Sequence, residues 1–86
     1  MTFALEQALS DREQKLLKAA QKAAYGEWID RPEPVNATVP EQFYIDAIEA
    51  FRNRRPTLGY DLIERGNHRA LLRLGRENRR QRRRYG

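Results

Sequence analysis

Apolar residues recur at helical spacing along this chain, and nowhere do they alternate long enough to make a useful strand. Leu5, Leu9, Leu16, Ala20, Ala23 and Trp28 keep approximate helical spacing among alanine, lysine, glutamine and glutamate. This predicts a helix from about Thr2 to Ile29. Ser10 followed by Glu13 has the form of a capping box. Residues 2–8 are therefore either a separate short turn or the start of one continuous helix, and the pattern leaves both open. Residues 30–37 hold Pro32 and Pro34 among polar or small side chains and predict a connector. A second helix follows. Thr38 and Glu41 form another capping box, Pro40 sits in the first turn, and Phe43, Tyr44, Ala47, Ile48 and Phe51 supply an apolar face. Arg52, Arg54 and Arg55 fall near its C-terminus, where they complement the helix dipole, and Pro56 ends it.

Beyond Pro56 the periodicity continues across two glycines. A short helix over about Leu58 to Arg65 is expected to stop at Gly66 in a left-handed cap, with Asn67 capping a last helix from His68 to near Arg82. Gly75 is a soft point in that helix, costing about 1 kcal/mol relative to alanine. The expected fold is all-α: a small three-helix domain with a broken, arginine-rich C-terminal helix whose Leu62, Ile63, Leu71 and Leu74 dock on the first two helices. Residues 1–74 read as the helical body, and residues 75–86 as a basic arm continuing the last helix. Phe43, Tyr44 and Phe51 are assigned to the core, and Trp28 to closing the first helix over the second. Leu5, Leu9 and Leu16 could face either the second helix or another copy of the chain.

Charge changes the picture most at the C-terminus. Residues 1–64 carry eight basic and eleven acidic side chains, whereas residues 65–86 carry nine arginines and one acid, Glu77. All three lysines lie in the first helix. Six of the arginines, Arg65, Arg69, Arg73, Arg76, Arg80 and Arg83, fall within an arc of about 80° on one helix. Ile63, Ala70, Leu71 and Leu74 are expected on the opposite side. An arginine-only ridge suits a polyanion, because the planar guanidinium grips phosphate bidentately and stacks on bases. Arg69, Arg73, Arg76, Arg80 and Arg83 are the primary contacts expected, with Arg65 joining them if the two helical pieces are collinear. Arg79, Arg82 and Arg84 point elsewhere and are secondary, and Tyr85 is placed to stack on a base. Tyr60 lies near the start of the basic segment and could stack as well.

The segment Gly75-Arg76-Glu77-Asn78-Arg79-Arg80-Gln81-Arg82-Arg83-Arg84 resembles the arginine-rich RNA-binding motif of lentiviral Tat proteins and, more loosely, the N peptides of lambdoid phage antiterminators. The resemblance covers ten of the 86 residues, and Glu77 and Asn78 depart from the all-basic Tat pattern. It implies a helix or extended arm inserted into structured RNA, with Arg79, Arg80, Arg82, Arg83 and Arg84 making the contacts. Leu9-Ser10-Asp11-Arg12-Glu13 also resembles the opening of the LuxR-type helix-turn-helix domain, but Asp30-Arg31-Pro32-Glu33-Pro34 stands where two further helices are needed. A helix-turn-helix over 58–75 fits poorly too. Gly66 suits the turn, yet Leu62 falls where a small residue is wanted, and Arg65 and Asn67 fall where apolar residues should lock the helices.

Other chemistry is sparse. With no cysteine and one histidine, His68, neither a disulfide framework nor a metal site is expected, and His68 reads as a capping or phosphate-contacting group. Asp46/Glu49 and Asp61/Glu64 neighbour Arg52 and Arg65 and read as surface ion pairs or as relief of repulsion. Ser10 has no basic partner at useful spacing, so no catalytic residue is nominated, no cofactor is expected and enzymatic activity is not. No apolar run reaches a membrane-spanning length and no targeting segment is visible, so a cytoplasmic protein without membrane contact is expected. The resulting expectation is a small nucleic-acid-binding adaptor, RNA preferred over DNA, whose body engages a second protein. Two alternatives stand beside it: a small phage-type interaction or inhibitor protein that binds an acidic or nucleic-acid-binding groove of a host protein, and a ribonucleoprotein component.

Overall fold

The computed structural model describes the backbone of residues 2–33 and 36–85 and the side chains of residues 5–33 and 36–80. Among these residues there are four helices and no strand: α1 (Thr2–Ala8), α2 (Asp11–Ala24), α3 (Val39–Arg52) and α4 (Pro56–Tyr85). The all-α fold is as the periodicity indicates, but the helix count is four rather than three, because Leu9 and Ser10 interrupt the first segment. The Ser10 capping box is formed, with the Ser10 N–H donating to Glu13 Oε1 (2.8 Å) and the Glu13 N–H to Ser10 Oγ (3.2 Å). Thr38 and Glu41 repeat the arrangement at the start of α3 (2.9 and 3.3 Å). α2 ends earlier than expected, at Ala24. Gly26, at φ +90°, turns the chain out of the helix, so Trp28 is exposed rather than packed in the core.

The core lies where α2, α3 and α4 meet, with α1 laid against α4. Leu16, Leu17 and Ala20 of α2, Tyr44, Ala47 and Ile48 of α3, and Ile63 and Ala70 of α4 are buried together, with Ala8 and Leu9 closing the α1 end. Leu62 and Leu74 pack against this cluster as expected, whereas Leu71 is exposed.

The chief correction concerns Gly66. α4 is one unbroken helix of 30 residues, with no left-handed cap at Gly66 and no turn for a helix-turn-helix. Asn67 does not cap a helix; its Oδ1 accepts a hydrogen bond from the Tyr44 hydroxyl (2.6 Å). Gly66 serves close packing. A Cβ there would lie 2.7 Å from Cε1 of the Tyr44 ring and 3.1 Å from Phe43 Cβ, and one at Gly59 would lie 2.5 Å from the Phe51 ring. Each glycine lets an aromatic side chain of α3 lie against the α4 backbone.

Gly75 is different, since a Cβ there would meet nothing within 4 Å. Opposite effects of one substitution are therefore expected in urea unfolding. Gly75→Ala should stabilise by roughly 0.5–1 kcal/mol through helix propensity. Gly66→Ala should destabilise by about 1–3 kcal/mol through overpacking against Tyr44.

Candidate functional site

α4 buries one face between Gly59 and Leu74, whereas every described side chain from Arg76 to Arg80 is exposed. The helical backbone runs on to Tyr85, so the segment from Arg76 onward extends about 15 Å at 1.5 Å per residue. The ridge is not opposite the buried face of α4. By helical phase it lies roughly a quarter-turn from the face holding Gly59, Ile63, Gly66 and Ala70. One edge of the ridge consequently runs into the body.

Arg73 is the residue on that edge, about 20° from Gly66. Expected to face outward, it instead makes a two-armed pair with Glu13: Nη1 donates to Oε2 (3.1 Å) and Nη2 to Oε1 (2.7 Å). Nη2 also donates to the Ala8 carbonyl, at the end of α1. Glu13 is fully buried, and its Oε2 accepts a further bond from Thr38 Oγ1, the N-cap of α3 (2.6 Å). Burial alone would push the Glu13 carboxyl up. Hydrogen bonds from Arg73, Thr38 and Ser10, with the Arg73 charge, outweigh burial and hold it at about 2 instead of 4.5. Tyr44 is pushed above its usual range by burial and by the negative charge of Glu13.

The other arginines divide into paired and free. Arg65 is exposed but held by Asp61 (Nε to Oδ2, 2.8 Å), and the two line a depression of 380 Å3 with Phe43, Glu64, His68 and Arg69. Two carboxylates there offset the basic side chains around them. Arg69, Arg76, Arg79 and Arg80 are exposed, with no hydrogen bond or ion pair among the described residues. The side chains of Arg82, Arg83, Arg84 and Tyr85 lie outside the described residues. His68 is exposed, nearly opposite the buried face of α4, and Tyr60 is half-exposed with its ring edge-on to Phe51 (5.1 Å). The Glu49–Arg52 pair expected from the spacing is present as a long contact (4.0 Å).

Sequence reasoning had no means of finding the Glu13–Arg73 pair, whose partners are 60 residues apart. It also missed the stacking of Arg52 on Trp28 (4.3 Å to the ring centroid), although Gly26, two residues earlier, was a signal that the helix had ended. Among the described residues, no three His, Cys, Asp or Glu side chains are grouped to hold a metal ion, and no helix is long and apolar enough to cross a membrane. Comparison of the chain with protein-family models, curated proteins and solved structures finds no match.

Two outcomes follow for stability. Arg73→Gln leaves a buried carboxylate without its main partner and should destabilise the fold by about 2–4 kcal/mol in urea unfolding. Arg76→Gln and Arg80→Gln should stay within about 0.5 kcal/mol of the parent. The depressed Glu13 carboxyl makes stability depend on acid. Its contribution is fully present above pH 4.5, where the unfolded chain has also ionised, and is lost as pH falls toward 2. Stability measured across that window should drop by on the order of 3 kcal/mol from this group, and Glu13→Gln should flatten its share of the drop.

Proposed function

We propose that this chain is a small nucleic-acid-binding adaptor, with RNA preferred over DNA, in which the helical body presents the C-terminal half of α4 to a phosphate backbone. The observation that carries the reading is the group of four exposed guanidinium groups, Arg69, Arg76, Arg79 and Arg80, that have no ion-pair partner among the described residues and lie on one uninterrupted helix. Exposed cations with no acidic partner remain fully available to displace counterions from a polyanion. Arg69, Arg76 and Arg80 share a face within about 40° and span about 16 Å along the axis, enough to follow several phosphates. Arg79 projects away from them, toward a second strand or a base edge. Arg82, Arg83 and Arg84 extend the basic sequence. Arg73 is removed from the contact set, because its guanidinium is committed to Glu13 and Ala8. Arg65 is weakened as a contact by Asp61.

The preference for RNA rests on arginine density and on the resemblance of residues 75–84 to arginine-rich RNA-binding motifs. Filter binding across a salt series, with a structured RNA hairpin and a duplex DNA of equal length, tests both parts. Log affinity should fall steeply with log salt, and the triple variant Arg76→Gln, Arg79→Gln, Arg80→Gln should reduce the slope by about two to three. A flat salt dependence, or no binding at low salt, sinks the reading. Equal or tighter binding to the duplex DNA removes only the RNA preference.

A further inference from the structure

The turn after α2 displays two aromatic side chains in a way the core does not explain. Tyr25 is 87% and Trp28 71% exposed, and Gly26 at φ +90° between them directs the chain away from the helix. The indole is nonetheless fixed. Its Nε1–H donates to Asp30 Oδ1 (3.0 Å), and the Arg52 guanidinium lies over its ring at 4.3 Å from the centroid. Arg52 reaches Glu49 only at 4.0 Å, so the stack on Trp28 is its closer engagement. Tyr25 also lines a depression of 360 Å3 with Gln21, Ala24, Tyr60 and Ile63, and Tyr60 is itself 52% exposed.

We infer that Trp28, backed by Arg52, is a stacking site for an unpaired nucleobase. The inference rests on the nucleic-acid reading above and specifies a single-stranded element in the ligand. Three observations support it. Trp28 keeps its aromatic surface open while its nitrogen is satisfied by Asp30, the amphipathic arrangement that lets an indole contact a partner without leaving a polar group unpaired. A guanidinium on one face leaves the other for a second π-system, and a ring held at its nitrogen loses little further freedom on stacking. Arg54 and Arg55, two and three residues beyond Arg52, are exposed and in no ion pair among the described residues, so they can take the phosphates flanking a stacked base.

The site is at the opposite end of α4 from the arm. From Pro56, next to Arg55, to Arg80 the helix rises about 36 Å. A base-paired segment on the arm and an unpaired strand on Trp28 can thus be held at once, the second contact gaining from its tether to the first. Acidic Glu27, Asp30 and Glu33 near Trp28 in the chain keep this end from being a strong phosphate site, so stacking supplies the larger share of binding here.

Trp28 is the only tryptophan, so its emission reports on the site directly. Fluorescence titration of the full chain with a uridine-rich single-stranded RNA of about twenty nucleotides, long enough to span both contacts, should quench the emission, because base–aromatic stacking quenches indole. A blunt RNA duplex of the same length should bind the arm and leave emission unchanged. Trp28→Leu should keep the parent melting temperature and lower single-strand affinity by between about five- and a hundredfold, with Trp28→Phe recovering part of the loss. In the triple arginine variant of the arm, quenching should persist at saturation with weaker affinity. Single strand bound without quenching, or quenching by the blunt duplex to the same extent, overturns the stacking site and leaves the arm reading standing. Failure to bind either RNA at low salt overturns both.

Discussion

The carboxylate of Glu13 has no access to solvent, contacts two other helices directly and is linked to a third through Arg73. It closes the capping box of α2 on Ser10, accepts from Thr38 at the start of α3, and pairs with Arg73 of α4, whose other bond goes to the end of α1. A buried anion is costly unless its lone pairs are filled, and here four donor contacts fill them. The second capping box mirrors the first. Glu41 is buried as well, and Arg12, in the first turn of α2, approaches it with Nε 2.7 Å from Oε2. The two helix N-termini thus face each other across a pair of carboxylates, each of which also meets a side chain of the other helix. Two positive dipole ends in such proximity repel unless negative charge sits between them, which is what Glu13 and Glu41 provide.

The sequence makes the local halves of this arrangement readable and hides the joint between them. Ser10 with Glu13 and Thr38 with Glu41 announce both helix starts, because capping is satisfied within four residues and depends on nothing distant. Apolar spacing likewise finds Tyr44, Ala47 and Ile48, all buried. Failures occur where one residue type serves two ends. A glycine inside a helical pattern marks a C-cap or a close contact, and only the ring of Tyr44 against Gly66 decides between them. An arginine in phase with other arginines looks solvent-facing, yet phase alone does not say where the buried face stops. Arg73 lies just inside that edge and the other described arginines lie outside it. Trp28 failed for a simpler reason: it kept helical spacing beyond the end of its helix.

Arginine consequently performs two jobs in this molecule, and the surroundings separate them. Where a carboxylate is buried nearby, the guanidinium is spent on structure, as a two-armed fork at Arg73 and a single Nε contact at Arg12. Along the distal part of α4 the described acidic neighbour is Glu77, and the guanidinium groups of Arg76, Arg79 and Arg80 are exposed without a direct partner among the described residues. The proximal ridge is intermediate, since Asp61 and Glu64 offset Arg65 and its neighbours. Positive potential therefore rises along the helix toward its C-terminus. On the proposed reading, a polyanion drawn in by that gradient would meet the arm first and the rest of α4 afterwards.

The clamp at Glu13 bears on the arm through this one helix. Gly59 and Gly66 set the depth at which α4 lies on α3, and the Arg73 pair fixes its rotation about its own axis. With rotation fixed at Arg73, three to seven residues before Arg76, Arg79 and Arg80, those three side chains leave the body in a set phase. An isolated arginine-rich peptide must order itself on binding and loses affinity in doing so. Here part of that ordering is already supplied by the fold, at the position where the ridge passes from Arg73, turned inward, to Arg76, turned outward. Removing the glycine break expected at Gly66 thus strengthens the case for a helical contact over an extended one, because the segment carrying the cations continues a helix whose preceding turns are held in place.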